Sequence, residues 1–224
     1  MTSRRRMMMG NSGPAKTKGV IDGVIQDSLE QVVINCQYDK AKKFYSIGDH
    51  VAVPLQGIGT FYFDYLGSGL ETRADGEKKP VSTWLCRDLV TVRGWHTANT
   101  HSPWNISNLR EYCRSTLYQA FPDIIRSNLI TVIKTTDQAQ AEETIWIPSK
   151  EELVGGLYQI RFPDSASRRK EIRVSTSVGP EYTVSIWWTR SYYGSPYTYC
   201  VTSYGAIDKK EYYRENGVCP GFCI

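Results

Sequence analysis

Histidine is scarce in this chain, three in 224 residues, and no apolar run is long enough to cross a membrane as a helix. So few imidazoles leave little from which to build a metal centre. His96 and His101 stand near Trp95 and Trp104, with Cys86 or Cys113 as third ligand, but that spacing matches no zinc signature, and loop histidines beside aromatics are the preferred reading. Also missing is a compact Asp/Asn/Glu cluster of the kind that holds calcium. Gly67-Ser68-Gly69 lacks the Gly-x-Ser-x-Gly elbow, and Gly57-Ile58-Gly59 is too short for a phosphate loop. Two carboxylate pairs occur, Glu142-Glu143 and Glu151-Glu152, but neighbours on a helix diverge by about 100° and do not converge on one bond. The expectation is a protein without catalytic residues, metal or cofactor.

A secretion signal is missing as well. Met7-Met8-Met9 is too short for its apolar core and runs directly into Gly10-Asn11-Ser12-Gly13-Pro14. Folding is therefore expected in a reducing cytoplasm, where the six cysteines are free and buried rather than paired. Cys219 and Cys223 share a face of an expected strand but lie roughly 13 Å apart, too far for a disulfide unless the strand breaks.

Charge is unevenly placed. Arg4, Arg5, Arg6, Lys16 and Lys18 all fall within the first 20 residues, which hold no acid; the formal net charge is +4, so the remainder carries about −1. Basicity thus belongs to an N-terminal arm, and the body shows no basic stripe with interleaved aromatics of the sort that reads nucleic acid. Residues 1–31 read as this extended arm, unable to fold alone and ordered by a partner surface; Val20 to Ile25 could pair as a strand with something else. Arg168-Arg169-Lys170 reads as a solvated loop.

Residues 32–93 look like a small β layer, with candidate strands at Val32–Cys36, His50–Val53, Thr60–Tyr65 and Val81–Val92. Helical period is clear once, in the stripe Ile106, Leu109, Cys113, Leu117 and Ala120, with Arg110, Glu111 and Arg114 opposite. Phe121-Pro122 ends that helix, and Pro122 starts a further turn. Ser149 followed by Glu152 is a capping box that begins a short helix. Trp187 and Trp188 point to opposite faces of a strand, one into the core and one under a covering loop. The apolar ending Gly217-Val218-Cys219-Pro220-Gly221-Phe222-Cys223-Ile224 builds the C-terminus into the core.

Eight of the fifteen tyrosines lie after residue 180, among glycines and charges rather than in apolar runs, a surface composition. Tyrosine gives large, rigid contact area at low entropic cost, as recognition surfaces require. The competing reading is that these rings face a neighbouring subunit.

The order Ile147-Pro148-Ser149-Lys150-Glu151-Glu152-Leu153, Trp187-Trp188-Thr189-Arg190-Ser191, aromatic loops and a terminal Pro220-Gly221-Phe222-Cys223-Ile224 strand resembles the C-type-lectin-like domain of phage and prophage virion proteins. It is similar to the fold of the major tropism determinants and, more remotely, of formylglycine-generating enzymes. Ile47-Gly48-Asp49, Asp64-Tyr65-Leu66-Gly67 and Trp104 to Arg110 extend the likeness over roughly residues 44–224. It implies an α+β protein: an arm, the small β layer at 32–93, and at 94–224 a C-type-lectin-like domain, a twisted antiparallel sheet with two or three helices. It also implies a virion surface protein held to other virion proteins by its arm, a homo-oligomer such as a trimer. Tyr192, Tyr193, Tyr197, Tyr212, Tyr213 and Arg214 would be exposed for a host cell-surface carbohydrate or protein. Trp187, Trp188, Ser149, Glu152 and Phe222 would be scaffold. The alternatives are a capsid or tail decoration protein touching only virion subunits and, more weakly, an oxidase of the formylglycine-generating type, whose cysteine spacing this chain does not match.

Overall fold

The last strand of the chain lies inside its largest sheet. Gly221–Cys223 runs antiparallel between Ser82–Cys86 and Ile145–Trp146, with Phe222 opposite Trp84 on one side and Ile145 on the other. Ser82 and Ile224 exchange backbone hydrogen bonds (Ser82 N to Ile224 O 2.8 Å, Ile224 N to Ser82 O 3.1 Å), so the terminus is anchored to its final residue. This sheet has seven strands in the order Val20–Ile21, Val24–Ile25, His50–Leu55, Gly59–Ser68, Ser82–Cys86, Gly221–Cys223 and Ile145–Trp146. Phe63, Phe121 and Phe222 meet at centroid distances of 5.2–5.7 Å behind it. Gly221 allows a close approach there: a Cβ would lie 3.1 Å from both Trp146 and the Trp84 carbonyl oxygen, tighter than ordinary contact.

The computed structural model describes residues 18–97, 103–136, 139–176 and 179–224, without the side chains of 173–182 and 184. Arg4, Arg5, Arg6 and Lys16 of the expected arm, and His101, lie outside the described residues. Lys18 lies within them, and its backbone amide donates to Asp27 (2.5 Å). Val20 to Ile25 folds into a hairpin that joins the large sheet through Val24 opposite His50.

The fold is α+β and mostly strand, built from several antiparallel sheets. A second sheet of five strands runs Ile207–Glu211, Tyr197–Val201, Trp187–Gly194, Glu215–Val218 and Thr91–Gly94. A smaller one runs Thr72–Arg73, Val132–Thr135 and Gln140–Glu143, and Lys170–Thr176 pairs with Gly179–Ser185 as a hairpin. The segments read as 32–93 and 94–224 contribute to the same two large sheets, and residue 94 ends a strand. Gly217 lets the layers close, because any Cβ would sit 2.2 Å from Leu89 Cδ1.

Val32–Cys36, expected as a strand, is part of the helix Leu29–Gln37. Ser28 caps it by accepting from the Gln31 amide, and the Val-Val-Ile run that suggests a strand instead packs one face of a helix; that local bias is small enough for tertiary burial to override. The helix also means that the expected arm ends before residue 31. The stripe at Leu109, Cys113, Leu117 and Ala120 is buried on a helix running from Asn108 to Ala120 with a π-helical turn at Cys113–Leu117. Ile106 does not belong to it: it lies in a 3-10 turn ahead of the Ser107 N-cap and is exposed. Trp187 and Trp188 are both wholly buried, donating to the carbonyls of Arg168 and Arg93. The expected strand through Cys219 breaks at Cys219-Pro220, and the chain passes there from one sheet to the other.

Candidate functional site

Tyrosines flanked by lysines line one side of the five-stranded sheet. In the strand Trp187–Gly194 every residue to Ser191 is buried; beyond it, register irregularities release the strand and Tyr193 turns outward, 48% exposed. Tyr197 and Tyr199 stand on the next strand, opposite Glu211 and Lys209 of the edge strand Ile207–Glu211. Tyr193 and Tyr199 meet edge to face at 5.3 Å. The Lys209 ammonium donates to the Tyr193 hydroxyl (2.9 Å), lies 4.1 Å from the centre of that ring and 5.8 Å from that of Tyr197. The Tyr193 hydroxyl raises the Lys209 pKa from its ordinary value. At the other end Lys150 sits 3.9 Å over the Tyr199 ring and pairs with Glu151 at 3.2 Å. Burial alone would raise the Glu151 carboxyl, but the Ser191 hydroxyl and Lys150 more than offset it and hold it low. The result is a ridge, Lys209, Tyr193, Tyr199, Lys150, whose cations lie over rings.

A buried ionic network holds the ridge from beneath. The Ser149–Glu152 capping box forms as the spacing demands: Glu152 N donates to Ser149 Oγ (3.1 Å) and Ser149 N to Glu152 Oε2 (2.8 Å). Glu152 also takes a bidentate pair from Arg190 (2.6 and 2.5 Å) and an ammonium contact from Lys134 (3.2 Å). Lys134 bridges on to Glu71 (2.6 Å) and lies 4.1 Å over the Trp146 ring. Tyr158, whose hydroxyl is pushed far up by burial and so keeps its proton, donates to Glu71 and accepts from Lys134 (2.8 Å). Two acids face two bases in the low-dielectric interior. Burial pushes the Glu152 carboxyl up, yet Arg190 and Lys134 outweigh it and hold Glu152 well below the usual carboxylate range. A cavity of about 490 Å³ borders the network, lined by Glu71, Glu152 and Arg190 with Thr135 and Leu157. Both carboxylates are engaged in buried ion pairs.

The ridge, the capping box and Arg190 all fall within residues 82–224, which match the family model described as a domain of unknown function, DUF6273. The chain belongs to the DUF6273 family. No curated protein and no solved structure matches it. The DUF6273 region opens at Ser82, the strand beside the C-terminal one, so the large sheet is completed by strands ahead of it, and Glu71 of the ionic network is also supplied from outside.

Within the DUF6273 region the six expected ligand residues separate. Tyr193 and Tyr197 join the ridge. Tyr192 turns inward and stacks on Tyr212 (6.4 Å, 29°). Tyr212 is buried completely, which corrects its reading as an exposed contact. Its amide donates to Pro196 O (3.1 Å) and its carbonyl accepts from the Trp95 amide (2.9 Å), pinning the ring beneath the Trp187–Val201 hairpin. Tyr213 and Arg214 are exposed elsewhere: Arg214 lies over the Tyr213 ring (5.3 Å) and pairs with Glu211 (3.4 Å), and Tyr213 borders a groove with Arg93, His96 and Tyr112. The sequence reading missed Tyr199, Lys209 and Lys150 as ridge members; the i, i+2 spacing of Tyr197 and Tyr199 was the available signal, whereas both lysines arrive from other elements.

Among the described residues no three His, Cys, Asp or Glu side chains are gathered to hold a metal. All six cysteines are buried and unpaired. Burial pushes the thiols of Cys36 and Cys219 up to about 11, away from the reactive thiolate. No described helix is long and apolar enough to cross a membrane.

Proposed function

We propose that this DUF6273 protein is a non-enzymatic recognition protein of a phage or prophage particle, with the Tyr193–Tyr199–Lys209–Lys150 ridge as the surface offered to a host ligand. The observation that carries the reading is the ridge itself: Tyr193 exposed and Tyr197 and Tyr199 half-buried on one sheet, with cations held over the Tyr193 and Tyr199 rings, beside acid–base groups that are paired with one another inside. Preorganised rings lose little entropy on binding, which suits them to recognition. The placement on a virion, and the C-type-lectin-like reading of the fold, rest on the sequence resemblance. The capping-box helix, the buried Trp-Trp strand and the inserted C-terminal strand are consistent with it. The N-terminal basic residues Arg4, Arg5, Arg6, Lys16 and Lys18 serve as the particle tether.

Replacing Tyr193, Tyr197 and Tyr199 together by Ser tests the reading, with binding to host envelope material as the readout. The expected outcome is at least a tenfold loss, since aromatic anchors at interfaces contribute about 2 kcal/mol each. Unchanged envelope binding overturns the site. Lowered particle occupancy with no host binding in the parent protein would assign the ridge to subunit packing instead.

A further inference from the structure

Lys209 differs from the other cations around the ridge. Lys150 is matched by Glu151 and Arg214 by Glu211, whereas Lys209 makes no ion pair among the described residues. Its neighbour Asp208 alternates to the other face of the strand, opposite Cys200. One N–H of the Lys209 ammonium goes to the Tyr193 hydroxyl, and its other two donors have no hydrogen-bond partner among the described residues. An ammonium held in this way, without a contact ion pair among the described residues and with spare donors, is a seat for a carboxylate.

What surrounds the seat narrows the occupant. The exposed large hydrophobic residues from Trp187 to Val218 are Tyr193, Tyr204 and Tyr213, with no aliphatic side chain among them. Tyrosine edges with hydroxyl tips suit rings that are apolar on one side and hydroxyl-rich at the rim, the chemistry of a sugar chain.

We infer that the ridge takes an acidic polysaccharide, with a uronate carboxylate seated on Lys209 and the adjoining sugar rings laid along Tyr193, Tyr197 and Tyr199. The inference rests on the ridge being the recognition surface and adds the class of ligand. The carboxylate supplies the contact ion pair that Lys209 lacks among the described residues, and the rings supply contact area.

The probe is a polygalacturonate oligomer compared with the same oligomer fully methyl-esterified, which keeps the rings and removes the charge. Binding to the full chain is measured by calorimetry, with thermal unfolding of each variant as the folding control. The acid form should bind the parent protein about tenfold tighter than the ester, the effect of one partly solvated charge-assisted contact. Lys209→Gln should abolish that preference while keeping the weaker binding common to both forms, and Lys209→Arg should retain it. A parent protein that binds neither form, or both equally, overturns the acidic-glycan inference, as does a preference that survives Lys209→Gln. The recognition reading is judged separately: it fails if the triple tyrosine variant keeps its envelope binding, and it stands if that binding is lost while the parent shows no preference for the acid form.

Discussion

Removing the Glu152 carboxylate should cost more stability than any surface change in this protein. Glu152 accepts from Arg190 at 2.6 and 2.5 Å, from Lys134 at 3.2 Å and from the Ser149 amide at 2.8 Å. After Glu152→Ala, Lys134 still has Glu71, but Arg190 is left with the carbonyls of Ile147 (2.8 Å) and Thr135 (3.4 Å) and no acid in direct contact. Stranding a buried charge costs about 3–5 kcal/mol, and losing half of the capping box adds about 1 kcal/mol. Against a typical total of about 5–15 kcal/mol, that is a large fraction of the stability. Urea unfolding followed by tryptophan fluorescence suits the measurement, because all six tryptophans are buried. Glu152→Gln, which keeps an acceptor, should lose less and remains measurable if the alanine variant does not fold. The double variant Glu152→Met with Arg190→Met removes both charges and should recover most of the loss, giving a coupling energy of about 2–3 kcal/mol. A loss below about 1 kcal/mol for Glu152→Ala, or a double variant no better than the sum of its singles, would refute the claim that this pair is buried and mutually compensated. The same helix carries Lys150 and Glu151, so the damage should reach the ridge as well.

The pH dependence follows from the same group: because the folded-state pKa of Glu152 is depressed, its contribution is full above the ordinary value of 4.5 and is lost as pH falls further, so unfolding midpoints should drop across that acid range and hold steady from pH 5 to 7. Tyr212→Ser should destabilise by about 3 kcal/mol because it empties a buried site, whereas Tyr193→Ser should stay within about 0.5 kcal/mol; equal effects in the two unfolding curves would contradict the inward and outward assignment. Thiol titration should find the six cysteines unreactive in the native protein and all reactive after denaturation, and a count short of six would show a bridge. Deleting Gly221 to Ile224 removes an interior strand rather than a tail, so circular dichroism should report loss of cooperative folding; a cooperative transition in the truncated protein would refute that placement.

What the sequence by itself determined are the features in which the deciding partners are close along the chain or the pattern leaves one outcome. The Ser149–Glu152 box is closed by atoms three residues apart, and Leu109, Cys113, Leu117 and Ala120 share a face because helical period places them there. The apolar ending from Gly217 to Ile224 has no solvated face to offer, so its burial was also legible. Tertiary structure decided the rest. Val32 to Cys36 became helix because a cap at Ser28 and burial on one side outweighed a weak strand preference. Tyr192 and Tyr193 differ by one residue and therefore by a face of the sheet, and composition cannot say which face is covered; Tyr212 is buried because the Trp187–Val201 hairpin lies over it. Lys209 and Lys150 reach the ridge from an edge strand and a helix start, and Arg190 finds Glu152 across 38 residues of chain. Such long-range pairings depend on how layers pack, and packing is a property of all the residues together rather than of any local pattern.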